Sequence, residues 1–327
     1  MAAANKLNLL VVPDDRPNTV TPYLEGKANE LADQVVIHRD MPSSHAALIE
    51  RCKDADGIVN ILATSQFSRD LMEASPKLRI ISLWAAGVNN VDLEAAKSLG
   101  ITVSNTPGYG SIGVGEHTLT LMMAVARNVT GLDRSIRDGN WPKQPLTELY
   151  GKTLGVVGGG PIAQRVMELG RLLGMKVVAW TLHPSPERAA QYQVEFVALD
   201  DLCRHSDFIA VIIALSERTE KVIGHKQMDL MKPEAILVNT GRGALIDEEA
   251  LVEVLRQKRI GGAGLDVFVN EPLPAGHPLT QLDNVVLSSH VAAHTPETTT
   301  AGVKMALDNV SSFLAGSPTN VFVQGSR

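Results

Sequence analysis

The strongest constraint on this chain is an alternation. From Leu7 to Asn105, short runs rich in β-branched and aliphatic residues ("LNLLVV", "QVVIH", "GIVNIL", "LRIIS", "ITVSN") are separated by stretches of helical spacing ("TPYLEGKANELAD", "SSHAALIERCKDA", "SRDLMEAS", "NVDLEAAKSLG"). Strands that alternate with helices form βαβ units, and these place parallel strands in one sheet with helices on its faces. A second series starts mid-chain at "KTLGVVGGG" and runs through "KVVAW", "DFIAVII", "AILVNT", "GAGLDVF" and "NVVLSS". A length of 327 residues suits two such domains, so the expected fold is α/β with two open parallel-sheet domains.

Between the series, residues from about Gly113 to Arg137 read as one long helix, with Leu119, Met122, Met123 and Ala126 at helical spacing. It is expected to bridge the domains and to offer an oligomer surface. The stretch "TPETTTAGVKMALDNVSSFLAG" near the end opens with Thr, Pro and Glu, the chemistry of a helix start.

Composition then removes whole classes of function. Lys and Arg total 30 against 36 Asp and Glu, a formal charge of −6 with no block of like charge, which disfavours nucleic acid or an anionic membrane as the main partner. Cys52 and Cys203 are the only cysteines and belong to no Cys/His cluster, so neither a disulfide framework nor a metal site is expected. The start "MAAANKLNLLVVPDD" lacks the pattern of a secretory signal and its apolar run is too short to span a bilayer. These readings together point to the cytoplasm.

"LGVVGGGPIAQRV" passes from an apolar run through glycines into helical spacing, and Gly158, Gly160 and Ala163 fit G-x-G-x-x-G/A, the dinucleotide fingerprint. Gly158 is expected to make the tight turn and Gly160 to let backbone approach a pyrophosphate. Ala163 is small enough for helix to pack on strand. The N–H groups of the helix start would hold the anion. About 20 residues on, an acidic residue usually accepts from the adenosine ribose, but "KVVAWTLHPSPER" has Thr181 there. Only His183 and Arg188 are basic nearby, so NADP is permitted beside NAD.

Three further residues each follow an expected strand: Arg242 after "AILVN", Glu271 after "GAGLDVFVNEP" and His290 after "NVVLSSH". In a parallel sheet those ends share the edge where ligands bind. Reducing a 2-keto acid needs a cation to orient the carboxylate and polarise the ketone, a proton donor, and a hydride source. Arg242, His290 and a nicotinamide can supply them. Glu271 beside His290 would favour the imidazolium and fix its ring. Gly241 and Gly243 would give the backbone freedom to turn a bidentate guanidinium toward the substrate. Each residue also has a plainer reading, as surface charge, loop residue or satisfied structural histidine.

At this point the chain resembles the D-isomer-specific 2-hydroxyacid dehydrogenases. The resemblance is carried by "LEAAKSLGITVSNTPG", "GEHTLTLMMAVAR", "GKTLGVVGGGPIAQ", "LVNTGRGALIDEEAL", "GAGLDVFVNEP" and "HVAAHTPE" in the family's order. It implies a Rossmann cofactor domain, residues 106–290, inserted in a flavodoxin-like substrate domain, residues 1–105 and 291–327. It implies that Arg242, Glu271 and His290 are catalytic and that Ala86 and Gly87 present N–H groups to the substrate carboxylate, with Arg242 and His290 also meeting the substrate. Cofactor contacts are implied for Gly158, Gly160, Pro161, Ile162, Thr181, Ala214, Thr240, Gly241, Arg242, Asp266, His290 and Ala293, with Asp266 near the nicotinamide carboxamide. A homodimer is implied as well. The sequence departs from the family at Ala163, Pro161 and Thr181, which leaves NAD(P)H open between its two forms.

The activity this implies is reduction of a small 2-keto acid, glyoxylate or hydroxypyruvate foremost, to a D-2-hydroxy acid. Leu62 stands where some phosphoglycerate relatives carry arginine, which disfavours 3-phosphoglycerate. With Trp84 and Tyr109 it would make an apolar pocket wall. His117 reads as structural, and His294 as structural or on the cofactor side. Two alternatives stay open: formate oxidation, in which a Glu/His acid has little purpose, and a dinucleotide-sensing protein without turnover.

Overall fold

The computed structural model describes residues 6–326 apart from Pro17, Leu62 and Ala63. Leu62, expected on a pocket wall, thus lies outside the described residues. The elements run β1 (Leu7–Val12), α1 (Pro22–Leu31), β2 (Ala32–Ile37), α2 (His45–Cys52), β3 (Gly57–Asn60), α3 (Arg69–Glu73), β4 (Ile80–Leu83), α4 (Leu93–Ser98) and β5 (Thr102–Ser104). They continue with α5 (Ser111–Ala126), α6 (Val129–Arg137), β6 (Thr153–Val157), α7 (Pro161–Leu172), β7 (Lys176–Trp180), α8 (Pro186–Tyr192), β8 (Glu195–Phe196), α9 (Leu199–His205) and β9 (Phe208–Val211). After α10 (His225–Asp229), β10 (Ile236–Asn239), α11 (Glu248–Arg256), β11 (Gly262–Leu265) and β12 (Val285–Leu287), the chain ends in α12 (Pro296–Leu314) and β13 (Val321–Val323).

Two compact units result. One runs to Tyr109 and resumes at Thr295, and the other spans Gly110–His294. The first holds a sheet of order β13-β5-β4-β3-β1-β2. Its core alternates along each strand, as a sheet covered on both faces requires. Val11, Ile58 and Ile81 point to one side with Leu48, Phe67 and Leu71, while Leu10, Val59 and Ile80 point to the other with Leu24, Val303 and Leu307. Side-chain caps start the helices: Thr21 on α1, Ser44 on α2, Asp92 on α4 and Thr295 on α12, the last with Pro296 at its first position.

The second unit holds the order β12-β11-β10-β9-β6-β7-β8, in which the chain reverses direction across the sheet between β6 and β9. That reversal is the topological switch point of a Rossmann fold, and the first sheet, β13 aside, follows the flavodoxin-like order. On one face α5 and α7 cover Val156, Ala210 and Val238, and on the other Leu202, Leu251 and Val254 cover Val157, Ile209 and Leu237.

Three expectations need correction. The stretch from Gly113 to Arg137 is two helices, because Asn128 adopts a left-handed conformation (φ 43°, ψ 40°) that breaks the run. Asparagine tolerates that region, and apolar spacing persists across the break, so periodicity does not reveal it. Nor is α5 a separate bridge. It belongs to the second unit and lies flush on β11, where a Cβ on Gly262 would fall 2.7 Å from Val125 Cγ1 and one on Gly264 2.9 Å from Leu121 Cβ. The first sheet is also not wholly parallel, since β13, unforeseen in the sequence, pairs antiparallel with β5 at its edge.

Candidate active site

The glycine turn follows β6 at the switch point. Gly158 has φ 145° and its N–H donates to the Trp180 carbonyl at 2.8 Å. A Cβ there would crowd the backbone of Ile212 and Ile213 at 3.1–3.2 Å, so both conformation and contact require glycine. Gly160 differs: it precedes α7, with Pro161 at the first helical position, and a Cβ on it would meet nothing within 4 Å. No neighbour among the described residues demands that glycine, and the open approach leads to the free N–H groups of a 12-residue helix, which suits a pyrophosphate. Ile162 lies in the first turn, and Ala163 is fully buried under the helix.

Thr181, just past β7, is buried and packs beside Gly159. The same loop receives Arg188 from α8, whose guanidinium donates to the carbonyls of Gly159 (2.7 Å) and His183 (2.6 Å) and lies over the rings of Tyr192 and Phe196. Among the described residues Arg188 has no carboxylate within ion-pair distance, so its charge is not neutralised locally.

Asn239, at the end of β10, shapes the turn that follows. Its side chain accepts from the Gly241 N–H at 3.0 Å and donates to the Arg242 carbonyl at 2.9 Å. Arg242 is extended and exposed, with Nη1 donating to the Gly241 carbonyl at 2.7 Å. The expected reason for the flanking glycines needs correction. Neither Gly241 nor Gly243 has a positive φ. They are small for contact: a Cβ on Gly241 would lie 2.8 Å from Leu245 Cδ1, and one on Gly243 would overlap the backbone of Phe268 and Val269. Thr240 is buried, its hydroxyl 2.7 Å from that of Thr118 on α5.

Glu271 and His290 meet. Glu271 Oε2 lies 2.7 Å from His290 Nδ1, and Oε1 accepts from the Phe268 N–H at 3.0 Å. A carboxylate only accepts, so Nδ1 carries the proton of this contact. Nε2 has no hydrogen-bond partner among the described residues. His290 has φ 55°, a costly conformation for a residue with a Cβ, held by its N–H on the Asp266 carbonyl at 2.8 Å.

Asp266 is the anchor beneath. Burial alone would push its carboxyl up. The hydrogen bonds from His117, Ser288 (2.6 Å) and the N–H groups of Val291 and Ala292 (3.0 Å each) outweigh burial and hold it well below the usual carboxylate range. His117 Nε2 is 2.8 Å from Ser288 Oγ and 3.4 Å from Asp266 Oδ1, a structural placement. Asp266 thereby fixes the segment that carries His290 and Ala293. His294 is exposed, with its N–H on the Val291 carbonyl at 2.8 Å.

Ala214 is exposed beyond β9, its carbonyl accepting from Thr219 at 2.7 Å. In the first unit, Ala86 and Gly87 sit in the exposed bend after β4, where the Ala86 carbonyl accepts from Asn105 at 2.6 Å. Trp84 and Tyr109 of that unit meet edge to face, centroids 5.8 Å apart. Sequence reading missed Asn239, Ser288 and Glu248, whose carboxylate accepts from Val269 N–H at 3.2 Å. Asn239 had a signal in its position directly before the Thr-Gly-Arg-Gly turn. The other two act through contacts across the fold.

The chain is similar to proteins of known class. The family described as D-isomer specific 2-hydroxyacid dehydrogenase, NAD binding domain, matches residues 119–292. A glyoxylate reductase of Aeropyrum pernix is 39% identical over 293 residues, 87% of each chain. A D-3-phosphoglycerate dehydrogenase of Methanocaldococcus jannaschii is 40% identical over 272 residues, 82% of this chain and 52% of that one. Among solved structures, an acyclic imino acid reductase in complex with NADPH and D-Arg superimposes with a TM-score of 0.85 at 29% identity, covering 96% of this chain and 100% of the other. No helix among the described residues is long and apolar enough to cross a membrane. The chain belongs to the D-isomer-specific 2-hydroxyacid dehydrogenases and is an oxidoreductase of small 2-hydroxy acids that uses a nicotinamide dinucleotide.

Proposed function

We propose that this protein reduces glyoxylate, hydroxypyruvate or a similarly small 2-keto acid to the D-2-hydroxy acid, with His290 as the proton donor. The observation that carries the reading is the Glu271–His290 contact at 2.7 Å, which engages Nδ1 and leaves Nε2 free. The bound dinucleotide supplies the hydride. His290 Nε2 gives its proton to the ketone oxygen and the carbon takes up the hydride, so the ketone gains two electrons and two protons in all, one proton from His290 and one within the hydride. Glu271 accepts from Nδ1 and so fixes the orientation of the ring. Arg242 binds the carboxylate and polarises the ketone. Hydride transfer from formate has no such proton to place, which disfavours that alternative.

The preferred cofactor in this reading is NADPH. Thr181 brings no negative charge against a 2′-phosphate, and Arg188 spends its hydrogen bonds on carbonyls, keeping its charge for an anion. The glyoxylate reductase of Aeropyrum pernix favours the same substrate class. We place the protein in the cytoplasm on its free, buried cysteines. We read it as a homodimer on α6, which buries no residue and leaves Val129 and Ile136 exposed, with Trp141 exposed just beyond.

The test is initial rates with NADPH and NADH against glyoxylate, hydroxypyruvate, pyruvate and phenylpyruvate. Glu271→Gln and His290→Ala are expected to lower kcat by about 10² to 10⁴ with cofactor binding intact. Arg188→Ala is expected to raise KM for NADPH without changing that for NADH. Cofactor binding with no turnover of any keto acid would move the reading to a sensor.

A further inference from the structure

The loop that presents Glu271 is held by a residue from the segment that presents Arg242. Glu248 is the first residue of α11, six positions after Arg242, and its side chain is only 18% exposed. Its Oε2 accepts from the Val269 N–H at 3.2 Å, while Oε1 lies 3.4 Å from Nε2 of His277, itself 19% exposed. His277 Nδ1 accepts from the Leu279 N–H at 3.3 Å, so that nitrogen carries no proton and Nε2 is the one that faces Glu248 with a hydrogen.

Val269 itself explains little of this, since its side chain is exposed. Its peptide group is what matters. The adjacent N–H, that of Phe268, is the one bound by Glu271 Oε1 at 3.0 Å. Two consecutive N–H groups are thus claimed by two carboxylates, Glu271 from within the loop and Glu248 from across it. Gly243 closes the same contact from beneath, because any Cβ there would overlap the Phe268 and Val269 backbone.

We propose that Glu248, with His277 behind it, is a positioning residue: it ties the Arg242 segment to the 268–277 loop and so keeps Glu271 on His290 Nδ1. The inference rests on the reading of Glu271 and His290 as the acid pair. Glu248 touches neither substrate nor cofactor in this role. It sets the carboxylate distance that makes His290 an acid, and displacement of a catalytic group by about 1 Å costs up to about 10² in rate.

The test is a double-mutant cycle of Glu248→Ala and Glu271→Gln, with Glu248→Gln as the conservative variant and His277→Ala as a milder one. Glu248→Ala is expected to lower kcat about 10-fold or more with KM for keto acid and dinucleotide within about twofold. The loss should fall on kcat and not on KM, since what changes is the placement of Glu271 against His290 and not the binding of either ligand. Glu248→Gln, which keeps an acceptor for the Val269 N–H, should recover most of the rate, and His277→Ala should cost less than Glu248→Ala. In the Glu271→Gln background, Glu248→Ala should add almost nothing, because the group it positions is gone. Additive losses in the cycle, a folded Glu248→Ala protein with unchanged kcat, or a Glu248→Gln protein no faster than Glu248→Ala overturn the proposal. A Glu271→Gln protein with full turnover instead overturns the acid-pair reading, which is a separate result.

Discussion

The carboxyl edges of the two sheets are built from similar residues and used differently. At the first, Asp14 and Asp15 follow β1 and are fully buried. Asp14 accepts from Asn60 (2.6 Å) and the Ile61 N–H (2.9 Å), and Asp15 from the N–H (2.6 Å) and hydroxyl (2.7 Å) of Thr19 and from Arg39 (2.6 Å). At the second, Arg242 is exposed, and the Glu271–His290 pair has side chains 35% and 46% exposed, with one imidazole nitrogen unclaimed. Position at a strand end is therefore common to structural and chemical groups. What separates them is whether the fold has already used their hydrogen-bonding capacity.

Removing Asp15 gives the largest contrast with the variants of the second edge. Asp15→Ala strips an acceptor from the Thr19 and Val20 N–H groups and from Arg39, and should cost about 2–4 kcal/mol of stability. Chemical denaturation measures it. The kcat of the folded fraction should stay within about twofold, the opposite of the rate loss without stability loss expected at His290. An Asp15→Ala protein as stable as the parent would dissolve the distinction drawn above.

Asp266 sharpens the comparison because it is a buried, saturated carboxylate on the functional edge. Its folded pKa is depressed, so its contribution to stability is present above the unfolded value of about 4 and is lost as pH falls through the folded value. Asp266→Asn should then be destabilised at pH 6, with the gap to the parent narrowing toward pH 3. Melting curves across that range check the sign, and a gap that widens on acidification would contradict it.

These contrasts mark where sequence reading stopped. The two series of strands, the glycine turn and the adjacency of Glu271 and His290 were legible because each rests on local spacing or on the shared edge of a parallel sheet. The break at Asn128 was not, since one left-handed residue leaves apolar periodicity intact. The steric need for Gly243, the hold of Glu248 on Val269 and the Ser288–Asp266–His117 cluster were also hidden. Each joins segments 21 to 171 residues apart by contacts that no local pattern encodes. The edge strand β13 escaped notice because three residues near the chain end form a strand only by pairing with β5.

The smallest expected effect tests whether the two units differ in folding as they do in chemistry. Each holds one buried cysteine. Burial, with the charge of Asp14 nearby, pushes the Cys52 thiol up to about 12, and burial with Asp200 pushes Cys203 up to about 12. At pH 8 the thiolate fraction of either is on the order of one in ten thousand, so neither should react with an aromatic disulfide reagent in the native protein. Labelling followed peptide by peptide through a denaturant titration then reports each unit separately. If the units unfold independently, Asp15→Ala should shift Cys52 labelling to lower denaturant and leave Cys203 where it was. Equal shifts at both cysteines would mean that the buried aspartate of one edge also supports the sheet that carries Arg242, Glu271 and His290, and stability and chemistry would then not be divided between the units.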